Sequence, residues 1–86
     1  MERIPVDAIR DAIKGFILKE FLPGENPDEL TEATPLISGG ILDSLATIKL
    51  ISFLEDRYQI VVRPHEADAD NLNTVADIVR LVSSKL

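Results

Sequence analysis

Nothing covalent or metallic is available to staple this chain together. It has no cysteine, and His65 is its one histidine, so neither a disulfide nor a Cys/His metal centre can form. A chain of 86 residues has room for a single domain, residues 1–86, with one small core. Small cores often lean on such staples; this one must hold by side-chain packing alone. Aromatic residues make up only 5% of the sequence, so the packing has to come from Ile, Leu and Val arranged on regular elements.

The apolar residues recur at helical spacing in three stretches. Val6, Ile9, Ile13, Phe16, Ile17 and Phe21 mark a first helix over about residues 5–22. Pro5 suits its start, Asp7 and Asp11 suit the positive end of its dipole, and Pro23-Gly24 stops it. Gly15 in its middle costs up to about 1 kcal/mol relative to alanine and marks either a close helix approach or nothing. Thr47, Leu50, Ile51, Leu54 and Tyr58 give a core face to a second helix over 44–58. Val75, Ile78, Val79, Val82 and Leu86 do the same for a last helix over 75–85, opened by a capping-box-like pair, Thr74 and Asp77.

Between these, residues 23–42 carry Pro23, Gly24, Pro27, Pro35, Gly39 and Gly40 and show no period. So long a loop must be functional or packed on itself, and Leu30, Leu36, Ile37, Ile41 and Leu42 are its apolar anchors. Ile60-Val61-Val62 reads as an extended connector, and Pro64 opens a short third helix at 65–70. The sum is an all-α fold: a small bundle of three longer helices plus one short one, with a long loop between the first and second.

Gly39-Gly40-Ile41-Leu42-Asp43-Ser44-Leu45 joins that loop to the second helix. Ser44 stands where a helix opens, with unpaired N–H groups and a positive dipole end, a place that suits an anion. Leu45, Ile48 and Ser52, with Glu55 and Asp56 beside them, form a second stripe and are candidate partner-docking residues. The same residues fit a plain core helix with Ser44 as its N-cap.

Composition narrows the function classes. The formal net charge is −6, which argues against nucleic-acid binding through phosphate contacts. Six carboxylates lie between Lys19 and Lys49, and four more from Glu66 to Asp77, with no Lys or Arg among either set. Such a field draws basic surfaces, although any one of these charges is first of all a solvated loop residue. No apolar run approaches a membrane span. No signal peptide opens the chain, and Met1-Glu2-Arg3 reads as a native start, so a cytoplasmic monomer is expected.

Self-contained catalysis fits poorly. Ser44 has no Gly-x-Ser-x-Gly surroundings, and nothing in the sequence orients His65 as a base. A metal site fits no better, since Asp68 and Asp70 have the spacing of part of a calcium loop without its later ligands or its glycine. No catalytic and no metal-binding residues are therefore expected. An unmodified acidic helical module that binds a basic partner through Leu45 and Ile48 remains an alternative.

The stretch Gly39–Leu45, in its place between a long loop and an amphipathic helix, resembles the phosphopantetheine attachment motif of acyl carrier and peptidyl carrier proteins, and the resemblance covers nearly all of residues 5–86. It implies a freestanding carrier that is a substrate of other enzymes. Its 4′-phosphopantetheine would be attached to Ser44 by a phosphopantetheinyl transferase, with Asp43 presenting the site and Leu45 gripped by partners. Cargo held as a thioester on that arm would be loaded by an acyl- or aminoacyl-activating ligase and passed to a synthase or transferase. It further implies a sheltering cleft near helices two and three, for which Ile51, Ile60 and Val61 are candidates. Thr34-Pro35-Leu36 resembles the stretch where carriers tuck an apolar residue beneath the loop. Lys49, Ser52 and Arg57 depart from the acidic helix of fatty acid carriers. Gly-Gly-Ile-Leu-Asp-Ser-Leu is closer to the pattern of D-alanyl, aminoacyl and peptidyl carriers, which implies a specialised pathway.

Overall fold

The computed structural model describes residues 4–86; Met1, Glu2 and Arg3, read above as a native start, lie outside the described residues. Helix α1 runs over Val6–Phe21, with Pro5 as the residue before it and its carbonyl accepting from Ala8 and Ile9 N–H. Ile9, Ile13 and Ile17 are buried along one side, while Val6 is exposed and Phe16 and Phe21 are half-buried. The expected stripe is therefore narrower than its pattern, because Val6 sits in the first turn and Phe16 lies at the edge of the buried face. Gly15 is exposed, and a Cβ placed on it would meet nothing within 4 Å. Of the two explanations offered for it, close helix approach is excluded.

Helix α2 spans Ser44–Tyr58. Leu50 and Leu54 are fully buried and Ala46 and Tyr58 nearly so, while Thr47 and Ile51 are only half-buried. The core face is thus rotated slightly from the expected one and includes Ala46. Gln59 ends the helix in a left-handed conformation, φ 53°, and its Nε2 donates to the Asp56 carbonyl at 2.7 Å. Residues 60–62 then run extended, with Ile60 and Val62 inward and Val61 outward, the alternation that an extended chain imposes. The Val62 N–H donates to Glu55 Oε2 at 3.0 Å and ties the connector back to α2.

The third element differs from expectation. A 3₁₀ turn covers Pro64–Glu66, and the short helix α3 covers Ala69–Leu72 rather than 65–70. Two local forces explain the split. Glu66 Oε1 accepts from Arg63 N–H at 2.9 Å and closes the turn, and Asp68 Oδ1 accepts from Asn71 N–H at 3.2 Å, which restarts the helix one turn later. The restart brings Leu72 into the core, where it is completely buried.

Helix α4 spans Val75–Lys85, with Thr74 Oγ1 accepting from Asp77 N–H at 3.0 Å. Only this half of the capping box forms: the shorter Asp77 carboxylate pairs with Arg80 instead of reaching back. Val75, Ile78, Leu81 and Val82 are buried, whereas Leu86 lies beyond the helix and is exposed. Helix α4 packs on α1 and α3, and α1 packs on α2. Together with Leu30, Leu36 and Leu42 from the loop they close one core. Each fully buried aliphatic side chain there stabilises by about 1.5–3 kcal/mol relative to exposure.

The loop from Leu22 to Asp43 contains a 3₁₀ turn at Pro27–Glu29, capped by Asn26, whose side chain accepts from Asp28 N–H. Its second half is held by one residue. Asn73 Oδ1 accepts from Ile37 N–H and Ser38 N–H, each at 2.9 Å, and the Asn73 carbonyl accepts from Leu36 N–H at 2.6 Å. Ala76 N–H donates to the Glu32 carbonyl at 3.2 Å and adds a second tie to the start of α4.

Three outcomes follow from these contacts. Gly15→Ala should raise stability by about 0.5–1 kcal/mol in a urea melt, since the site is helical and open. Asn73→Ala leaves two loop N–H groups without their acceptor and should cost about 1–3 kcal/mol, with faster hydrogen exchange at the Ile37 and Ser38 amides. The Lys85 ammonium, 2.8 Å from Glu66 Oε1, and the Arg63 N–H hold the Glu66 carboxyl below the usual carboxylate range. A depressed carboxylate stabilises the fold above its unfolded pKa, and that contribution is lost as pH falls through the folded value. Thermal melts across the acid range should therefore fall less steeply for Glu66→Gln than for the parent chain.

Candidate functional site

The candidate site is built by the last turn of the loop and the first turn of α2. Leu36 and Leu42 are buried and act as two anchors, and the Leu36 carbonyl accepts from both Ile41 N–H at 2.8 Å and Leu42 N–H at 2.9 Å. The chain between them doubles back through Gly39 and Gly40. A side chain at Gly39 would collide with the Pro35 carbonyl oxygen, and Gly40 has φ +81°, a left-handed backbone that glycine adopts without strain. These two glycines let the loop fold against itself before α2 begins.

Asp43 is the N-cap. Its Oδ1 accepts from Ala46 N–H at 2.7 Å, and its carbonyl accepts from Thr47 N–H at 2.9 Å and from the Thr47 hydroxyl at 2.8 Å. Ser44 is the first residue inside the helix and is exposed. Among the described residues its hydroxyl makes no hydrogen bond, and the N–H groups of Ser44 and Leu45 have no protein acceptor. The two readings of Ser44 as cap and as free hydroxyl thus separate cleanly: the capping is done by Asp43. With the carboxylate spent on Ala46, the helix mouth keeps unpaired donors beside an exposed oxygen, an arrangement suited to an esterified phosphate.

Around it, Leu45 is 62% and Ile48 60% exposed, large apolar side chains left in solvent next to Ser44. Ser52 and Asp56 are exposed on the helix as well. Glu55 is half-buried and engaged by Val62 N–H, so its carboxylate is a structural tie to the connector. Ile51 is half-buried, Ile60 buried, and Val61 62% exposed, so these three do not share one environment. His65 lies exposed in the Pro64–Glu66 turn and makes no side-chain hydrogen bond among the described residues, and Asp68 serves as the cap of α3. The residue that sequence reasoning missed is Asn73. It lies far along the chain from Ser38, and no local pattern announces that its carboxamide will hold the loop in front of α2.

Comparison with known proteins agrees with this architecture. The family model for the phosphopantetheine attachment site matches residues 17–82. The chain is 30% identical over 77 residues to an acyl carrier protein of Wolinella succinogenes, covering 90% of this chain and 96% of that protein. It is 32% identical over 78 residues to the D-alanyl carrier protein of Bacillus subtilis, covering 91% and 87% respectively. A probable acyl carrier protein, PigG, of a Serratia species is 36% identical over 66 residues, covering 77% of this chain and 75% of that protein. An all-helical bundle, a long pinned loop and an Asp-capped helix thus coincide with a family match over most of the sequence, and the chain belongs to the carrier proteins built around a phosphopantetheine attachment site, whose covalent group is 4′-phosphopantetheine.

Proposed function

We propose that Ser44 Oγ is the atom to which the group is joined, and that residues 1–86 work as one carrier domain. The observation that carries this reading is the division of labour at the mouth of α2. Asp43 caps the helix, so the exposed Ser44 hydroxyl is not needed for folding and is open to a modifying enzyme. The residues fit the group: a free hydroxyl to esterify, with the unpaired Ser44 and Leu45 N–H groups beside it to receive a phosphate. When bound, phosphopantetheine supplies a thiol that holds cargo as a thioester, chemistry for which a chain without cysteine has no group of its own.

The chain's own part is to present and to dock. In the modification, Ser44 Oγ loses its proton and forms a bond to the pantetheine-bearing phosphorus of the coenzyme A diphosphate, the bond from that phosphorus to the bridging oxygen breaks, and adenosine 3′,5′-bisphosphate leaves; a phosphopantetheinyl transferase provides the base and the magnesium ion. Asp43 keeps the first turn of α2 rigid while this happens. Leu45 and Ile48 offer apolar contact to the transferase and to later partners, with Ser52 and Asp56 at the border and Glu55 holding the connector behind them. The chain is a substrate of these enzymes rather than a catalyst. Its place of work is the cytoplasm; no helix among the described residues is long and apolar enough to cross a membrane.

As to pathway, we favour a specialised carrier loaded by an adenylate-forming ligase over housekeeping fatty acid synthesis. The support is the Gly39–Leu45 pattern, the exposed Lys49 in the middle of α2, and relatives that include a D-alanyl carrier protein and the PigG protein beside general acyl carrier proteins.

Intact-mass analysis of the apo protein after incubation with coenzyme A, magnesium and a broad-specificity transferase tests the assignment. Complete gain of one phosphopantetheine is expected on the parent chain and none on Ser44→Ala. An unmodified parent chain, or a gain that survives the substitution, overturns it.

A further inference from the structure

The outer side of the seam between α1 and α2 carries half-buried aromatic rings beside exposed cations; Phe21 and Phe53 pack against the core and remain partly exposed. Gly15 needs neither a left-handed backbone nor a close neighbour, and the missing side chain leaves open space. Phe16 and Phe53 meet edge to face beside it, with ring centroids 4.2 Å apart, and Phe16 also stacks on Phe21 at 5.6 Å. The Arg57 guanidinium lies 6.0 Å from the centre of the Phe53 ring. Gly15, Phe16, Lys19, Glu20, Phe53 and Arg57 wall a groove of about 370 Å³. Glu20 also walls a second hollow of about 290 Å³, with Phe21, Leu45, Lys49 and Asp43, so the seam continues to the mouth of α2.

The charges along this seam run against the rest of the molecule. Lys19, Lys49 and Arg57 are exposed and form no ion pair among the described residues; Lys14 and Arg63 elsewhere are likewise unpaired, and Arg10, Arg80 and Lys85 are paired. Glu20 and Asp43 are the carboxylates of the same walls, and Asp43 Oδ1 already accepts from Ala46 N–H. A chain of net charge −6 thus rims an aromatic floor with cations.

We infer that this seam is a docking groove for a partner protein that inserts an apolar side chain over Gly15, Phe16 and Phe53 and lays carboxylates against Lys19, Lys49 and Arg57. An apolar anchor in a part-formed pocket supplies affinity, and the opposed charges supply orientation and rate. The inference goes beyond the modification of Ser44 and does not depend on it. It identifies the kind of protein surface that approaches α2 from the α1 side: acidic, with an exposed aliphatic residue at its centre.

The test is a titration of the isotopically labelled chain, followed by amide chemical shifts, with two synthetic helical peptides. Both have a central leucine; one is flanked by glutamates and the other by lysines. The glutamate peptide should shift Gly15, Lys19, Lys49 and Phe53 and bind at least about tenfold tighter than the lysine peptide, an advantage that fades in about 0.5 M salt. Gly15→Leu, which fills the groove, should weaken the glutamate peptide about tenfold. The double variant Lys19→Glu, Arg57→Glu should reverse the preference, with the amide spectrum confirming that both variants are folded. Equal binding of the two peptides, shifts confined to other surfaces, or no binding of the glutamate peptide overturns the inference. Repeating the titration on Ser44→Ala should change nothing, which keeps this result separate from that of the attachment site.

Discussion

The Asn73 side chain and backbone together hold the loop that leads into α2. Helix packing alone positions α1, α2 and α4 as rods, but it does not say where a long proline- and glycine-rich segment will run between two of them. Four hydrogen bonds accepted by one residue at the α3–α4 junction do. They arrest the loop at Leu36, Ile37 and Ser38, and the doubled carbonyl of Leu36 then turns it toward Leu42. Ordering so long a loop costs conformational entropy for every residue held. Burial of Leu30, Leu36 and Leu42 offsets that cost, and the Asn73 bonds select one path among those that would bury the same three side chains.

At the end of that path, the work of folding and the availability for chemistry fall on adjacent residues. Asp43 satisfies the helix, and Ser44 is left exposed with donors around it. Had the serine been the cap, its hydroxyl would have been engaged in a hydrogen bond and its modification would have cost the helix its N-cap. Moving the cap one residue upstream removes that conflict. The chain belongs to a family built around a phosphopantetheine attachment site, and a chain with no cysteine depends on such a group for any thiol chemistry.

The faces of α2 likewise divide. Leu50 and Leu54 hold the bundle, Glu55 ties down the connector, and Leu45 and Ile48 stay in solvent at a cost that folding does not require. The α1–α2 seam adds a second partly exposed surface, whose cations contrast with the acidic loops. A small carrier has little area to offer, so contact with several partners calls for different faces of the same helix.

Periodicity and punctuation in the sequence sufficed for the three longer helices, because a helix is a local structure whose apolar spacing, caps and proline stops lie within a few residues of each other. They sufficed for the burial of Ile13, Ile17, Leu50, Leu54 and Val82. Periodicity did not reach the short helix, where Asp68 competes with Pro64 for the role of starting point and the burial of Leu72 decides. It also missed Ala46, Leu81 and the structural engagement of Glu55, which depend on what lies opposite each residue. Above all, it could not foresee Asn73 holding residues 36–38. That contact joins segments far apart in the chain, and only the packed helices bring its donors and acceptors within hydrogen-bond reach.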